Sequence, residues 1–267
     1  MSVLPLEGHR ALVTGASAGI GLASAQALAA MGASVVLAAR TTSTLAAALA
    51  TLPTPLASQT HDFLVLDMSD ANVAKQLAKS GVMGSTTVNA ITILINNSSG
   101  PAPGPMRLAT ASELIQTFQQ QLLSAHAITQ LLLSGMQARG FGRVINVIST
   151  SVKEPLKDLG VSNAIRAAVA SWAKTLAGEV GAYGITVNNV LPGYTRTARL
   201  EQIIKVRMQK LTRTRAEVEQ AMMSDVPANR FAEASEIAAA IAFLSSPQAS
   251  YINGINLPVD GGRTRSL

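Results

Sequence analysis

The chain reads as an α/β protein. The expected architecture is a single-domain doubly wound (Rossmann) parallel sheet with helices on both faces. Three observations predict it. Short apolar runs alternate with Ala- and Leu-rich segments of helical spacing along most of the chain, the pattern of repeated β-α-β units. The run at residues 34–39 is apolar along its length, as a strand covered on both faces must be. A glycine-rich turn, Thr14-Gly15-Ala16-Ser17-Ala18-Gly19-Ile20-Gly21, separates the first apolar run from the first helical segment.

Taken in order, residues 10–14 form the first strand and residues 20–31 the helix after it, stopped by Gly32 as a C-cap glycine stops a helix. Strand two covers 34–39, and a short helix, 43–50, leads into a proline-marked loop. Residues 61–66 are strand three, 71–80 helix and 91–96 strand four. The loop 98–105 carries three prolines and two glycines, so it connects rather than forms an element. A long helix is expected over 111–138, strand five over 143–148, a second long helix over 159–182 and strand six over 185–191. After Pro192-Gly193 comes a basic amphipathic segment, 198–223; a last helix, 233–244, and a last strand, 253–259, follow. Crossovers between parallel strands are right-handed, which makes the sheet doubly wound.

The chain has 267 residues and 48% hydrophobic residues, but only 3% aromatic ones. Its core must therefore be aliphatic and closely packed. It has no cysteine, which excludes disulfides and thiolate metal sites. His9, His61 and His126 are scattered, so no metal site is expected. Residues 1–10 lack the apolar core of a secretory signal, and no run of eighteen uninterrupted apolar residues occurs. The expectation is a cytoplasmic protein with no membrane partner. The net charge of +6 is concentrated between Arg196 and Arg215. Such a helix either binds an anionic partner or presents a solvated outer face. No aromatic residues interleave with these charges, so no nucleic-acid partner is expected.

The glycine turn points to chemistry. Glycine reaches backbone angles closed to other residues and lets a phosphate approach the main chain. The helix that follows offers unpaired N–H groups and a partial positive charge. A strand, a glycine turn and a helix N-terminus together form a pyrophosphate site for a dinucleotide. Strand two ends at Ala39-Arg40, where an NAD site places an acidic residue against the ribose hydroxyls. Here Arg40 stands at the 2′ position, and a guanidinium matches a phosphate. NADP(H) is expected ahead of NAD(H), unless Arg40 is an ordinary surface arginine. Asp67 either accepts from the adenine amino group or caps the helix after it.

The turn, Asp67-Met68, Asn96-Asn97-Ser98-Ser99-Gly100, Gly142–Asn146, Pro192–Thr197 and Val259–Gly262 occur in a familiar order. Together they resemble the short-chain dehydrogenase/reductase family, and within it the 3-oxoacyl-[acyl-carrier-protein] reductases. The resemblance spans nearly the whole chain. It implies a nucleotide held by Thr14, Gly15, Ser17, Gly19, Ile20, Gly21, Arg40, Thr41, Asp67, Met68, Asn97, Ser98, Gly100, Arg166, Pro192, Gly193, Thr195 and Thr197. It further implies a small carbonyl or alcohol substrate under a lid at 198–223, and a homotetramer or homodimer.

The family's carbonyl chemistry uses Asn, Ser, Tyr and Lys. The Ser position falls on Ser149. The Tyr and Lys positions fall on Ser162 and Arg166, and the Asn position on Gln121. An alcohol holds its proton more tightly than a phenol, so Ser162 is a weaker donor. Arg166 lies one helical turn beyond it, on the same side, and can bond the nicotinamide ribose, but guanidinium stays charged. Two further residues are candidate donors. Lys153 either donates its proton from the loop after Ser149 or points to solvent. Tyr194 either donates or forms an aromatic wall. The sequence thus implies an oxidoreductase with a changed site. The alternative is a catalytically weak nucleotide-binding member acting as sensor or subunit.

Overall fold

The computed structural model describes residues 4–82 and 90–266. Residues 1–3, the head of the stretch read for a secretory signal, lie outside them. Seven parallel strands form one sheet: β1 (Arg10–Thr14), β2 (Ser34–Ala39), β3 (Asp62–Val65), β4 (Ile91–Asn96), β5 (Gly142–Val147), β6 (Ile185–Pro192) and β7 (Asn256–Val259). Their order is β3-β2-β1-β4-β5-β6-β7. The direction of winding reverses between β1 and β4, so the loops at those two carboxyl ends diverge and leave a crevice.

Two aliphatic layers cover the sheet. On one face α1 (Gly19–Ala30), α2 (Thr42–Leu49) and α9 (Ala234–Ser245) bring Leu28, Leu45, Ile237 and Ile241 against Val13, Val35, Leu37, Ile95 and Ile145. On the other, α3 (Val73–Lys79), α5 (Ser124–Arg139) and α6 (Gly160–Val180) bring Leu77, Ile128, Leu132, Met136 and Ala177 against Leu12, Val36, Leu94, Val144 and Val187. Neighbouring residues of one strand serve opposite layers, as the two-residue repeat of a strand requires.

Two expected helices are interrupted. The stretch expected as one helix over 111–138 is α4 (Ala111–Phe118), a π turn at Gln119–Leu123 and then α5. The basic segment is two helices, α7 (Ala198–Leu211) and α8 (Arg215–Ser224). Thr212 between them is left-handed, and the Thr214 hydroxyl accepts from Glu217 N in a reciprocal cap that starts α8. A helix-period pattern carries through both interruptions because the apolar face is kept while the backbone is re-aimed.

Polar residues also bind the sheet. Asn96, Asn146, Asn189 and Asn256 are neighbours in register across β4 to β7. Each side-chain amide donates to the next: Asn96 to Asn146 (2.9 Å), Asn146 to Asn189 (2.9 Å) and Asn189 to Asn256 (2.8 Å). Arg143, fully buried at the other end of β5, donates to the carbonyls of Gly142, Gly184 and Ser246 and lies 4.0 Å over the Phe141 ring. Among the described residues no helix is long and apolar enough to cross a membrane.

Candidate active site

A cleft of about 500 Å³ opens at the carboxyl ends of the strands, a volume suited to a cofactor and a small ligand. The glycine turn forms one wall. Gly15 takes a φ of 59°, and a Cβ there would lie 2.6 Å from Asn97 O. A Cβ on Gly21 would lie 2.2 Å from Gly15 O. The turn is thus closed to side chains, and only main chain faces the cleft at Gly15 and Gly19. Ser17 and Ile20 line the same wall.

Thr14 and Gly21 do not line the cleft. Thr14 is fully buried; its hydroxyl donates to Asn97 O (2.9 Å) and accepts from Asn97 N (2.9 Å). Asn97 Nδ2 in turn donates to the carbonyls of Thr14 and Gly15 (3.3 and 3.2 Å). Thr14 shapes this wall by tying β1 to the end of β4, and Gly21 by packing against Gly15; neither forms its contact surface. Arg40, Thr41, Asp67 and Met68 line one end of the cleft, where Arg40 is exposed. The Asp67 carboxyl is held below its ordinary range, first by the Ser69 N–H (2.9 Å) and least by Arg40. Asp70, not Asp67, serves the start of α3, accepting from Asn72 N and Gln76 Nε2. Asn97, Ser98, Gly100, Pro192, Gly193, Thr195 and Thr197 complete the lining expected of the cofactor half.

Ser149, Ser162 and Arg166 come together at the other end. Ser149 Oγ accepts from Ser151 N (3.1 Å), which leaves its O–H to point elsewhere. Arg166 is buried on α6. It donates through Nε to Ser162 Oγ (3.3 Å) and through Nη1 to Val147 O (3.0 Å). Burial, and secondly the neighbouring Arg199, lower its pKa to about 10. A guanidinium donating to Ser162 stabilises negative charge on that oxygen and makes its proton easier to give up.

Gln121 does not line this cleft. The π turn, which inserts one extra residue into a helical turn, aims Gln120 and Gln121 at the loop before it. They donate to Ser99 Oγ (3.0 Å) and Ser99 O (3.2 Å). Gln121 instead borders a side cavity of about 10 Å³, shared with Asn96, Asn146 and Arg166. Gln121 Oε1 and the ladder's terminal Asn96 Oδ1 are buried there with no partner among the described residues. A polar space of that size holds one water.

Lys153 also falls outside the cleft lining. It follows a 3₁₀ turn, Thr150–Val152, and its N–H donates back to Thr150 O (2.9 Å). Lys153 has a contact of its own. Tyr194 lines the cleft as a wall: its hydroxyl accepts from Arg207 Nη2 (3.3 Å), and its ring packs edge-on against Phe231. Two lining cations were not assigned to the site from the sequence, although Arg199 belongs to the basic segment 198–223. Arg199 opens α7 and donates to Pro101 O (2.8 Å). Arg263 enters from the carboxyl-terminal segment, its guanidinium 4.4 Å from the Tyr194 ring centre. Asp260 folds that segment by accepting from the N–H groups of Gly262 (3.0 Å) and Thr264 (2.8 Å). Cations just past an Asp-Gly-Gly turn were the signal available for Arg263.

Residues 15–264 match the family model described as enoyl-(acyl carrier protein) reductase. The chain is 30% identical to the NADPH-dependent reductase BacG of Bacillus subtilis, over 96% of this chain and 98% of that one. It is 33% identical to the 3-oxoacyl-[acyl-carrier-protein] reductase FabG of Haemophilus influenzae, over the same shares. The chain belongs to the short-chain dehydrogenase/reductase family. A solved member, the L-sorbose reductase of Gluconobacter frateurii complexed with NADPH and L-sorbose, superposes with a TM-score of 0.90 at 28% identity, each chain covered in full. The short-chain dehydrogenase/reductase landmarks Asn97–Gly100, Ser149 and Pro192–Thr197 all lie on one cleft here.

Proposed function

We propose that this chain is an NADP(H)-dependent oxidoreductase that interconverts a carbonyl and an alcohol on a small-molecule substrate. In this reading Ser149 keeps the role of the family's serine, and Ser162 and Arg166 take the places of its tyrosine and lysine. The observation that carries it is their convergence: two hydroxyls and a buried guanidinium share a cleft with an intact glycine cradle. The residues fit the dinucleotide. The turn is closed to any Cβ at Gly15 and Gly21, which leaves main-chain N–H groups for the pyrophosphate. Arg40, exposed beside Thr41 on the cleft, supports the choice of a 2′-phosphate. BacG and the sorbose reductase bear the same cofactor in their names or complexes.

When bound, the nicotinamide supplies or takes up the hydride. The protein's own work is on oxygen. Ser149 O–H donates to the carbonyl and polarises it. Ser162 O–H faces the same oxygen, gives its proton as charge develops, and is left opposite Arg166. Arg166 stays cationic throughout and holds the Ser162 oxygen. The side cavity bordered by Gln121 and Arg166 has room for the water that returns the proton. The helices α7 and α8 close the substrate side as a lid, tied down where Lys210 pairs with Asp158 (2.7 Å). Assembly with further copies is part of this reading. Ile115 (70% exposed), Phe118 and Leu123 leave an apolar surface on α4 and the π turn, suited to a homodimer or homotetramer.

The test is NADPH oxidation against a panel of ketones, aldehydes and acyl thioesters. The expected outcome is turnover of at least one class. Ser149→Ala and Ser162→Ala should each lower kcat about 10²-fold or more while NADPH binding holds. Tight NADPH binding with no turnover on any class would favour the sensor or subunit reading instead.

A further inference from the structure

Arg166 and Arg199 converge on one spot. A Cβ placed on Gly100 would lie 3.4 Å from Arg199 Nη2 and 3.6 Å from Arg166 Nη2. Arg166 is only 9% exposed, and its Nη2 makes no hydrogen bond among the described residues. Arg199 Nη2 itself donates one of its two N–H groups to Pro101 O (2.8 Å), which leaves the second for a further acceptor. Arg263 lines the same cleft, with its Nε buried and unpartnered.

No carboxylate pairs with any of these three among the described residues, whereas exposed cations nearby do find acids: Lys210 with Asp158 and Arg215 with Glu201. Like charges brought together out of water destabilise each other, and burial lowers the pKa of both Arg166 and Arg199. An arrangement of this kind is stable once an anion sits between the guanidiniums. The cofactor's phosphates have other hosts, the glycine turn and Arg40, so the anion belongs to the substrate.

We propose that Arg166 and Arg199 bind a carboxylate of the substrate, which makes the substrate a small oxo acid or the matching hydroxy acid. This deepens the reading above and rests on it. Arg166 donates through Nε to Ser162 while its Nη2 faces the anion. The carboxylate and the reacting carbonyl are thus both within reach of one guanidinium. That separation suits a 2- or 3-oxo acid and not a long acyl thioester, which has no free carboxylate beside its carbonyl. The carbonyl carbon accepts a hydride, with its electron pair, from the reduced nicotinamide; the oxygen accepts one proton; the oxo acid becomes a hydroxy acid and the cofactor is oxidised.

The test separates binding from turnover. Malonate and inorganic phosphate are titrated by calorimetry into the NADP⁺-loaded protein and into the Arg199→Met and Arg199→Lys variants, and NADPH affinity is measured by fluorescence for each. The expected result is malonate binding that falls at least tenfold in Arg199→Met, the loss of a charge-assisted bidentate contact. Arg199→Lys should recover part of it, and NADPH affinity should stay unchanged. In the same variants KM for a 3-oxo acid should rise at least tenfold, while that for its methyl ester does not move. Malonate that fails to bind, or binds the Met variant equally well, overturns the proposal. So does an Arg199→Met protein that loses NADPH in proportion, which would assign the pair to the cofactor. Phosphate binding tighter than malonate would overturn the carboxylate assignment. A protein that binds NADPH and malonate but reduces no carbonyl refutes the oxidoreductase reading and leaves the anion site standing.

Discussion

Asn146→Ala cuts the amide ladder at its centre. The wild-type side chain accepts from Asn96 at 2.9 Å and donates to Asn189 at 2.9 Å, and it is only 1% exposed. The substitution removes both bonds and strands two partners, Asn96 Nδ2 and Asn189 Oδ1, on residues that are themselves buried. An unsatisfied buried polar group costs about 1–3 kcal/mol. Two of them put the expected loss at about 2–6 kcal/mol, a large share of the ~5–15 kcal/mol that holds a typical domain together. Urea unfolding followed by circular dichroism measures it, with the slope checked for two-state behaviour. Because the ladder ends one residue before Asn97 and four before Gly100, saturating NADPH should restore part of the loss. A double-mutant cycle with Asn189→Ala should show coupling of about 1 kcal/mol or more, since the second change removes one stranded group. A loss below about 1 kcal/mol for Asn146→Ala, with no coupling, would refute the view that these amides are structurally committed to one another.

Three further outcomes are expected. Arg40→Ala should lower the preference for NADPH over NADH about tenfold or more, the worth of one exposed charge-assisted contact to phosphate; equal affinities in the wild type would remove Arg40 from that role. Gly21→Ala should abolish NADPH binding or folding, because its Cβ would sit 2.2 Å from the Gly15 carbonyl; a variant that binds NADPH normally would contradict the closed cradle. His9 is pushed down to about pKa 4 by burial first and then by Arg139 and Arg143. The folded state thus favours the neutral ring, and between about pH 6.5 and 4 the unfolded chain binds the extra proton. The stabilisation is complete above about pH 6.5 and is lost as pH falls toward 4, by about 1–2 kcal/mol after allowance for partial exposure. His9→Gln, which keeps the contact to Thr92 (3.1 Å) available, should flatten that slope in thermal melts taken across the range.

The doubly wound parallel sheet and the glycine turn were legible in the residues because they depend on local chemistry. An apolar run, a turn only glycine can make and a helix start follow one another within about a dozen residues, and each constrains the next. Ser149, Ser162 and Arg166 were picked out by the resemblance alone, and the fold sets all three on one cleft, the first after β5 and the other two one turn apart on α6. Lys153 was legible only by its distance in sequence from Ser149; a 3₁₀ turn separates the two, and Lys153 is not among the residues that line the cleft. Gln121 illustrates the same limit. The π turn that aims it leaves the apolar repeat intact, so nothing in the spacing announces where the amide points.

The sequence by itself determined the parallel α/β sheet and the side-chain-free glycine turn between its first strand and first helix. Each of these is a property of residues close together along the chain. Only the tertiary structure decided that Arg166, Arg199 and Arg263 share one cleft with no carboxylate paired to any of them among the described residues, and that four asparagines line up across four strands. Those facts depend on which distant segments meet when the sheet is wound and the carboxyl-terminal segment folds back, and proximity of that kind leaves no periodic trace in the order of the amino acids.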